Sequence, residues 1–331
     1  MTTLSENTAF KNLGPDDLLD AIEGIGYRCD GRFLALNSYE NRVYQIGIED
    51  DKPIVAKFYR PNRWTDEAIL EEHQFTLELA AEEIPVIPPL VDSNGGTMHH
   101  HGPFRFALYK RCGGRPPELD KPDHLEQLGR LIGRIHSLGR VHKYQHRPTL
   151  EVEHFGVDSY QFLLDKGFIP AELTAAYRSL AEDLIVRIQA CYARAGKIKN
   201  IRLHGDCHPG NILWTDTGPL IVDFDDARMG PAIQDLWMFL SGDRSYMTKR
   251  LADLLDGYSE FCDFDPRELH LIEALRTLRM MHYAAWIARR WDDPAFPLAF
   301  PWFNAARYWD EHVLTLREQA ALMDEPPLVW D

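Results

Sequence analysis

The amino-acid sequence predicts an α+β protein of two lobes, with a β-rich first lobe and a mostly helical second lobe. Three observations indicate this. Runs of β-branched and aromatic residues fill much of the first hundred positions, and a glycine- and proline-rich stretch, KRCGGRPPELDKP, follows them. Beyond that stretch, apolar residues recur at helical spacing. We therefore expect a first lobe at residues 1–109, a hinge at 110–117 and a second lobe at 118–331.

Short strand-like runs open the first lobe. FLAL (33–36), VYQIGI (43–48) and IVAKFY (54–59) are separated by polar turns, which predicts an antiparallel meander. A helix is expected next, at TDEAILEEHQFTLELAAEE, because Thr65 or Asp66 can cap its first turn. The stretch SNGGTMHHHG then separates IPPLV from FRFALY, and we expect it to be a hairpin connection.

Long amphipathic segments dominate the second lobe. HLEQLGRLIGRIHSL carries leucine and isoleucine at helical spacing. A later helix is expected to begin at Asp265, because Asp265 as N-cap, Pro266 at the first helical position and Glu268 at the third form a strong start signal. Between these helices the sequence predicts two loops and the strand LIVDF.

Composition and charge exclude several classes of function. The chain has 36 basic and 51 acidic residues and a net charge of −15, which opposes binding to nucleic acid or to an anionic membrane. No apolar run approaches the roughly 18 residues that span a bilayer, and the first residues have no signal-peptide pattern. Five cysteines without CxxC spacing suit reduced thiols. We therefore expect a cytoplasmic protein that binds neither nucleic acid nor membranes.

The segment LHGDCHPGNILW offers three kinds of chemistry. A zinc site is disfavoured, because adjacent side chains on a short loop diverge and no second ligand pair follows at the usual spacing. A thiol nucleophile at Cys207 would need a lowered pKa, for which the sequence supplies only neighbouring histidines, so we expect this thiol to be a buried filler. A phosphate-binding site is favoured, because it also uses a second segment, IVDFDDA.

The pattern His-Gly-Asp-x-x-x-x-Asn has the spacing of the kinase catalytic loop. In that loop the aspartate accepts the proton of the attacking hydroxyl and the asparagine binds Mg²⁺. Asp206 is therefore the candidate catalytic base and Asn211 a candidate metal ligand. Asp223 stands where a kinase has its metal-binding aspartate, and it is a candidate catalytic residue and the second Mg²⁺ ligand. His208 could approach the γ-phosphate or only shape the loop.

Other acidic positions lie close to these motifs. Asp235, in QDLW, is expected to hold the catalytic loop from behind, with a plain helix cap as the alternative. Asp225 and Asp226 follow Asp223 directly. They could receive a basic substrate, but charges of this kind are usually solvated, and we expect that here.

A kinase also needs a strand lysine and a helix glutamate in its first lobe. Lys57 lies in the third strand of the predicted meander, and of Glu71 and Glu72 on the next helix we expect Glu72 to hold it. No GxGxxG loop separates the first two strands. The turn NSYENR would therefore cover the phosphates of ATP with backbone N–H groups and the hydroxyl of Ser38. A solvated turn is the alternative for Ser38.

The motifs LHGDCHPGNILW, IVDFDDA and GPAIQDLW resemble those of the aminoglycoside phosphotransferase and choline kinase superfamily, a branch of the protein-kinase-like fold. Further segments, LNSYENRVYQ, KFYRPNRW, ILEEHQF and RRWDDPAFP, resemble a family of bacterial stress response kinases. The resemblance implies a cytoplasmic, monomeric kinase that depends on Mg²⁺ and ATP. It also implies phosphorylation of serine and threonine on proteins, itself included, and a role in stress survival.

The acceptor of the phosphoryl group is left open. Only eleven residues separate Asp223 from Asp235, and no APE motif follows, so a peptide platform has little room. This favours, as an alternative, a small-molecule alcohol kinase for an amino sugar or amino alcohol. A further alternative is a pseudokinase that binds nucleotide without turnover, which the joint presence of Lys57, Asp206, Asn211 and Asp223 opposes.

Overall fold

A computed structural model of the chain describes residues 9–10 and 12–330. Contacts divide it into two compact units. The first takes in the described residues up to Pro117 together with 144–147 and 210–226, and the second takes in 118–143, 148–209 and the described residues from Ala227 onward. The lobe boundaries given above stay a prediction. Two segments beyond residue 118, residues 144–147 and 210–226, are grouped with the first unit because of their contacts.

The secondary structure is mixed, as the sequence predicts. The strands are β1 (Cys29–Ala35), β2 (Arg42–Ile48), β3 (Ile54–Phe58), β4 (His99–His101), β5 (Phe104–Lys110), β6 (Ile201–Leu203), β7 (Ile212–Thr215), β8 (Gly218–Ile221) and β9 (Arg228–Gly230). The helices are α1 (Pro15–Glu23), α2 (Asp66–Ala81), α3 (Pro122–Gly139), α4 (Asp158–Asp165), α5 (Thr174–Ala195), α6 (Arg244–Ser259), α7 (Ile272–Arg289), α8 (Ala295–Ala299) and α9 (Ala306–Leu322).

An antiparallel five-stranded sheet in the order β1-β2-β3-β5-β4 forms the centre of the first unit. The predicted meander is therefore confirmed. One face of the sheet is buried together with Leu18 and Ile22 of α1, in an apolar cluster that includes Ile46, Phe58 and Phe106. Burial of such side chains contributes about 25 cal/mol for each Å² removed from water.

The predicted start of α2 is confirmed, but the predicted hairpin is displaced. The Thr65 hydroxyl accepts a hydrogen bond from the backbone N–H of Ala68 at 3.2 Å and so caps the helix. The three histidines are not a connection, because they form β4 and pair with β5. The turn of this hairpin lies instead at Gly102 and Pro103, where Gly102 has a φ of 54°, a conformation that glycine adopts without strain.

The second unit is mostly helical. Helices α3 and α6 pack so closely that a Cβ at Gly129 or Gly133 would overlap backbone atoms of Leu254 or Tyr258. Helices α5, α7 and α9 pack against one another. Within the ranges that the structure describes, no helix has both the length and the apolar character needed to cross a membrane.

The helix expected to begin at Asp265 begins differently. Pro266–Leu271 is a 3₁₀ helix, and α7 starts only at Ile272. The Asp265 carboxylate does accept a hydrogen bond, from the N–H of Arg267 at 3.1 Å. The Glu268 carboxylate, however, accepts from the backbone N–H of Ile233 at 2.9 Å, so the residue expected to extend the start signal binds another segment.

Candidate active site

Lys57 lies buried on β3 of the first unit and contacts two carboxylates. Its Nζ is 2.8 Å from Oδ1 of Asp223 and 3.3 Å from Oδ1 of Asp225. Burial alone would lower the pKa of Lys57, but the negative charges of Asp223, Asp225 and Glu72 raise it well above its usual value. Lys57 is therefore a permanent cation, which is the state that a phosphate-binding lysine requires.

The predicted ion pair between Lys57 and Glu72 does not form in the described part of the chain. Oε2 of Glu72 is instead 3.0 Å from Nη2 of Arg147, and both side chains are buried. Lys57 already contacts the carboxylates of two aspartates. The planar guanidinium of Arg147 can donate hydrogen bonds to several acceptors at once. It also donates to the carbonyl oxygens of Ala68 at 2.7 Å and Asp225 at 2.6 Å.

Glu71, the other candidate glutamate on α2, binds backbone N–H groups. Its carboxylate accepts the backbone N–H groups of Gln145, His146 and Arg147 at 2.6, 2.8 and 2.9 Å. This explains why residues 144–147 belong to the first unit. Arg147 is a residue that sequence reasoning missed, since its neighbours in the sequence carry no motif.

Asp225 and Asp226 are not the solvated pair that the sequence suggests. Asp225 is only 3% exposed, and its Oδ2 is hydrogen-bonded to Nη1 of Arg63. Nη2 of Arg63 reaches Oδ1 of Asp226 at 2.9 Å. Burial would raise the pKa of Asp225, but the charges of Arg63 and Lys57 lower it below its usual value. This carboxylate therefore balances buried cations, and it is not accessible to a basic substrate.

Asn211 and Asp223 flank a short hairpin of the first unit. Ile212 of β7 pairs with Ile221 of β8, and the carbonyl oxygen of Asn211 accepts the N–H of Val222 at 3.0 Å. This pairing brings Asn211 and Asp223 to the same end of the hairpin. Asp223 has a φ of 64°, a conformation that costs a non-glycine residue roughly 1–3 kcal/mol and is concentrated at functional sites.

The donor atoms at this end of the hairpin fit Mg²⁺. An amide and a half-exposed carboxylate supply the oxygen ligands that this ion prefers. Among the described residues, no three His, Cys, Asp or Glu side chains cluster as a protein-only metal cage. A magnesium ion bound here would be held by Asn211 and Asp223, with water and phosphate oxygens in the rest of its shell.

In the second unit, Asp235 binds the backbone of the loop that carries Asp206. The carboxylate of Asp235 accepts the backbone N–H groups of His204 and Gly205, each at 2.8 Å, and lies 3.0 Å from Nε2 of His136. Gly205 has a φ of 87°, which suits glycine. The expected support of this loop by Asp235 is thereby confirmed.

Asp206 is ionised and has two basic residues as neighbours. Nη1 of Arg279, on α7, is hydrogen-bonded to its Oδ1, and Nε2 of His208 lies 3.5 Å from its Oδ2. Burial would raise the pKa of Asp206, but His208 and Arg279 hold it well below its usual value. Sequence reasoning missed Arg279, because its segment has the apolar pattern of a core helix.

Cys207 and Ser38 complete the predicted set. Cys207 is fully buried, and burial raises the pKa of its thiol well above the usual value, which opposes a nucleophilic role and fits the expected filler. Ser38 lies half-buried between β1 and β2. The backbone N–H of Arg60 donates to Oδ1 of Asn41 at 3.0 Å, which fixes the end of that turn. The phosphate-binding role of Ser38 stays a prediction.

Comparison with known proteins defines the class. Residues 32–272 match the phosphotransferase enzyme family. The chain is 46% identical to stress response kinase A of Escherichia coli K12 and 44% identical to serine/threonine protein kinase RdoA of Salmonella typhimurium, in each case over 96% of both chains. The protein belongs to this family of phosphotransferases, and the resemblance to bacterial stress response kinases is confirmed.

The fold is that of the same family. The solved structure of an amicoumacin kinase superposes with a TM-score of 0.73, covers 96% of each chain and is 18% identical in sequence. The predicted two-lobed, protein-kinase-like α+β fold is confirmed. The family and the names of the relatives support kinase activity, that is, transfer of a phosphoryl group.

Proposed function

We propose that the protein is a serine/threonine protein kinase of the bacterial stress response that depends on ATP and Mg²⁺ and acts in the cytoplasm. The ion pair of Lys57 with Asp223, next to Asn211, carries the proposal of phosphoryl transfer. The close similarity to relatives named as stress response and serine/threonine kinases supports a protein acceptor. We also propose that it acts as a monomer and phosphorylates itself.

We propose a separate role for the residues of each unit. In the first unit, Lys57 would bind phosphate oxygens of ATP, and Asn211 and Asp223 would hold Mg²⁺. The ion, when bound, neutralises charge that develops on the transferred group. In the second unit, Asp206 would orient the acceptor hydroxyl and take its proton, and Asp235 keeps the Asp206 loop in place. Most of the rate enhancement would come from positioning and charge stabilisation.

A small-molecule alcohol kinase is the second candidate. The eleven residues between Asp223 and Asp235 contain only a 3₁₀ turn at Phe224–Asp226, the three-residue strand β9 and the start of another 3₁₀ turn. A protein kinase normally uses a longer segment here to support its peptide. The structural similarity to an amicoumacin kinase favours the same candidate.

Labelled ATP can separate the candidates. The wild type and Asp206→Asn are incubated with Mg²⁺ and γ-labelled ATP, together with protein substrates or with a panel of amino sugars and amino alcohols. We expect label on serine and threonine of protein with the wild type and almost none with Asp206→Asn. Label on amino alcohols alone would establish the second candidate. Nucleotide binding without transfer to any acceptor would indicate a pseudokinase.

A further inference from the structure

An arginine outside the predicted catalytic set contacts the proposed base. Nη1 of Arg279 is hydrogen-bonded to Asp206, and the Arg279 side chain is 40% exposed. In the part of the chain that the structure describes, this is the one hydrogen-bond partner of the guanidinium. Because a guanidinium has five N–H donors, several remain available beside the carboxylate that would orient the acceptor.

Further basic and aromatic groups of the second unit lie on α7 and next to it. Arg276, Arg279 and His282 recur at three-residue spacing on α7. The ring of His282 stacks on Phe155 at a centroid distance of 4.3 Å, and the guanidinium of Arg228 lies 4.8 Å from the Phe155 centroid. Arg228 in turn pairs in register with the last residue of β6, which leads into the Asp206 loop.

Two acidic side chains of this region, Glu273 and Asp158, have partners of their own. The only acidic residue of α7 is Glu273, in its first turn, and its carboxylate bonds to Nε of Arg276 at 3.0 Å and to Gln319 at 2.6 Å. Asp158 lies 3.4 Å from Nδ1 of His154. Phe155 belongs to a π-helical turn, Glu153–Val157, a rare geometry that is frequent at functional sites.

This arrangement disfavours a cationic acceptor. An amino group placed beside Arg279 would be repelled by the guanidinium and drawn only to Asp206, which already has the guanidinium of Arg279 as a cationic partner. A carboxylate could instead accept two parallel bonds from the exposed side of the guanidinium. The attraction would be local, because the protein as a whole has a net charge of −15.

We propose that Arg279 binds an acidic side chain of the protein substrate next to the accepting serine or threonine, so that acidic peptide segments are the preferred acceptors. Arg279 is then a specificity residue for the acceptor. The proposal rests on the proposed function of a protein kinase, and it names the class of substrate for that same site.

Peptides with one serine flanked by aspartate, alanine or lysine test the proposal. We expect kcat/KM of the wild type to be about tenfold or more higher for the acidic peptide than for the neutral one, which is the factor that a charge-assisted hydrogen bond provides. The lysine peptide should be the poorest substrate. The preference should weaken as salt is added, because the contact is partly exposed.

Substitutions assign the preference to one side chain. Arg279→Gln should bring the ratio of acidic to neutral peptide close to one, mainly through KM, and Arg279→Lys should retain part of the preference. Arg307→Gln is the matched control: it removes the same charge from a side chain that is 87% exposed on α9, and it should leave the ratio unchanged.

Two results would overturn the proposal in distinguishable ways. If the wild type shows no preference for the acidic peptide, or if Arg279→Gln slows transfer to all three peptides by the same factor, Arg279 only positions Asp206 and the proposed protein kinase stands. If no peptide is phosphorylated while an amino alcohol is, the proposed function fails together with its substrate class. The ratio of kcat/KM for the acidic peptide to that for the neutral peptide, measured with the wild type, decides the first case even if a variant is unstable.

Discussion

Replacement of Arg147 by methionine should destabilise the first unit strongly. The guanidinium is fully buried and binds the buried carboxylate of Glu72 as well as two backbone carbonyl oxygens. Removing one partner of a buried pair costs about 3–5 kcal/mol, because the remaining charge is left without compensation. Two carbonyls also lose a donor, so we expect a loss near the upper end, about 5 kcal/mol.

Amide hydrogen exchange of α2, measured at several urea concentrations, reports this loss. A decrease of that size in the free energy of unfolding should accelerate amide exchange by about a thousandfold or more. Glu72→Leu in the same chain should restore most of the protection, because the uncompensated charge is then absent. Arg32→Met, at an exposed site of the same unit, is the control and should not change the exchange. Exchange within tenfold of the wild type would refute the role of Arg147.

The destabilisation caused by Arg147→Met should depend on pH. Burial raises the pKa of Glu72, so the folded state favours its protonated form more than the unfolded state does. A raised pKa in the folded state contributes stability at low pH that is lost as the pH rises. Without Arg147 this effect grows, and the destabilisation of Arg147→Met should be smaller at acidic pH than at neutral pH.

Three further outcomes are expected. Burial raises the pKa of Glu268 to about 7, so the contribution of Glu268 to stability should fall by about 3 kcal/mol as the pH rises from about 4.5 through 7. Urea unfolding of Glu268→Gln should lack this dependence on pH. Asp235→Ala should lower kcat at least about tenfold with little change in KM for ATP in steady-state assays, since it loosens the Asp206 loop; an unchanged kcat would contradict its supporting role. Cys207→Ala should retain activity, and iodoacetamide should not label the native thiol; rapid labelling with inactivation would restore the thiol nucleophile.

Local patterns predicted much of the fold. Alternating and β-branched runs located β2 and β3, and Thr65 marked the start of α2, because strand and helix propensity and capping depend on neighbours in the sequence. The support of the Asp206 loop by Asp235 was predictable because both lie in motifs of fixed order. The β4–β5 turn was misplaced, since SNGG and Gly102 both carry turn residues and only strand pairing chooses between them.

Partners distant in the sequence could not be predicted. Arg147 binds Glu72 from 75 residues away, and Arg279 binds Asp206 from 73 residues away. Neither arginine lies in a motif, and a charged residue in a helix or loop is solvated in most proteins. The burial of Asp225 has the same origin, because it depends on Lys57 and Arg63, which belong to distant segments.

We propose that Asp223, together with Lys57 and Asn211, holds the nucleotide for phosphoryl transfer. Transfer of labelled phosphate from ATP to protein, measured for the wild type and Asp223→Asn at saturating Mg²⁺, tests it most directly. We predict a loss of at least about a hundredfold in kcat, with the circular dichroism spectrum of the wild type retained. Turnover by Asp223→Asn close to that of the wild type would contradict the claim.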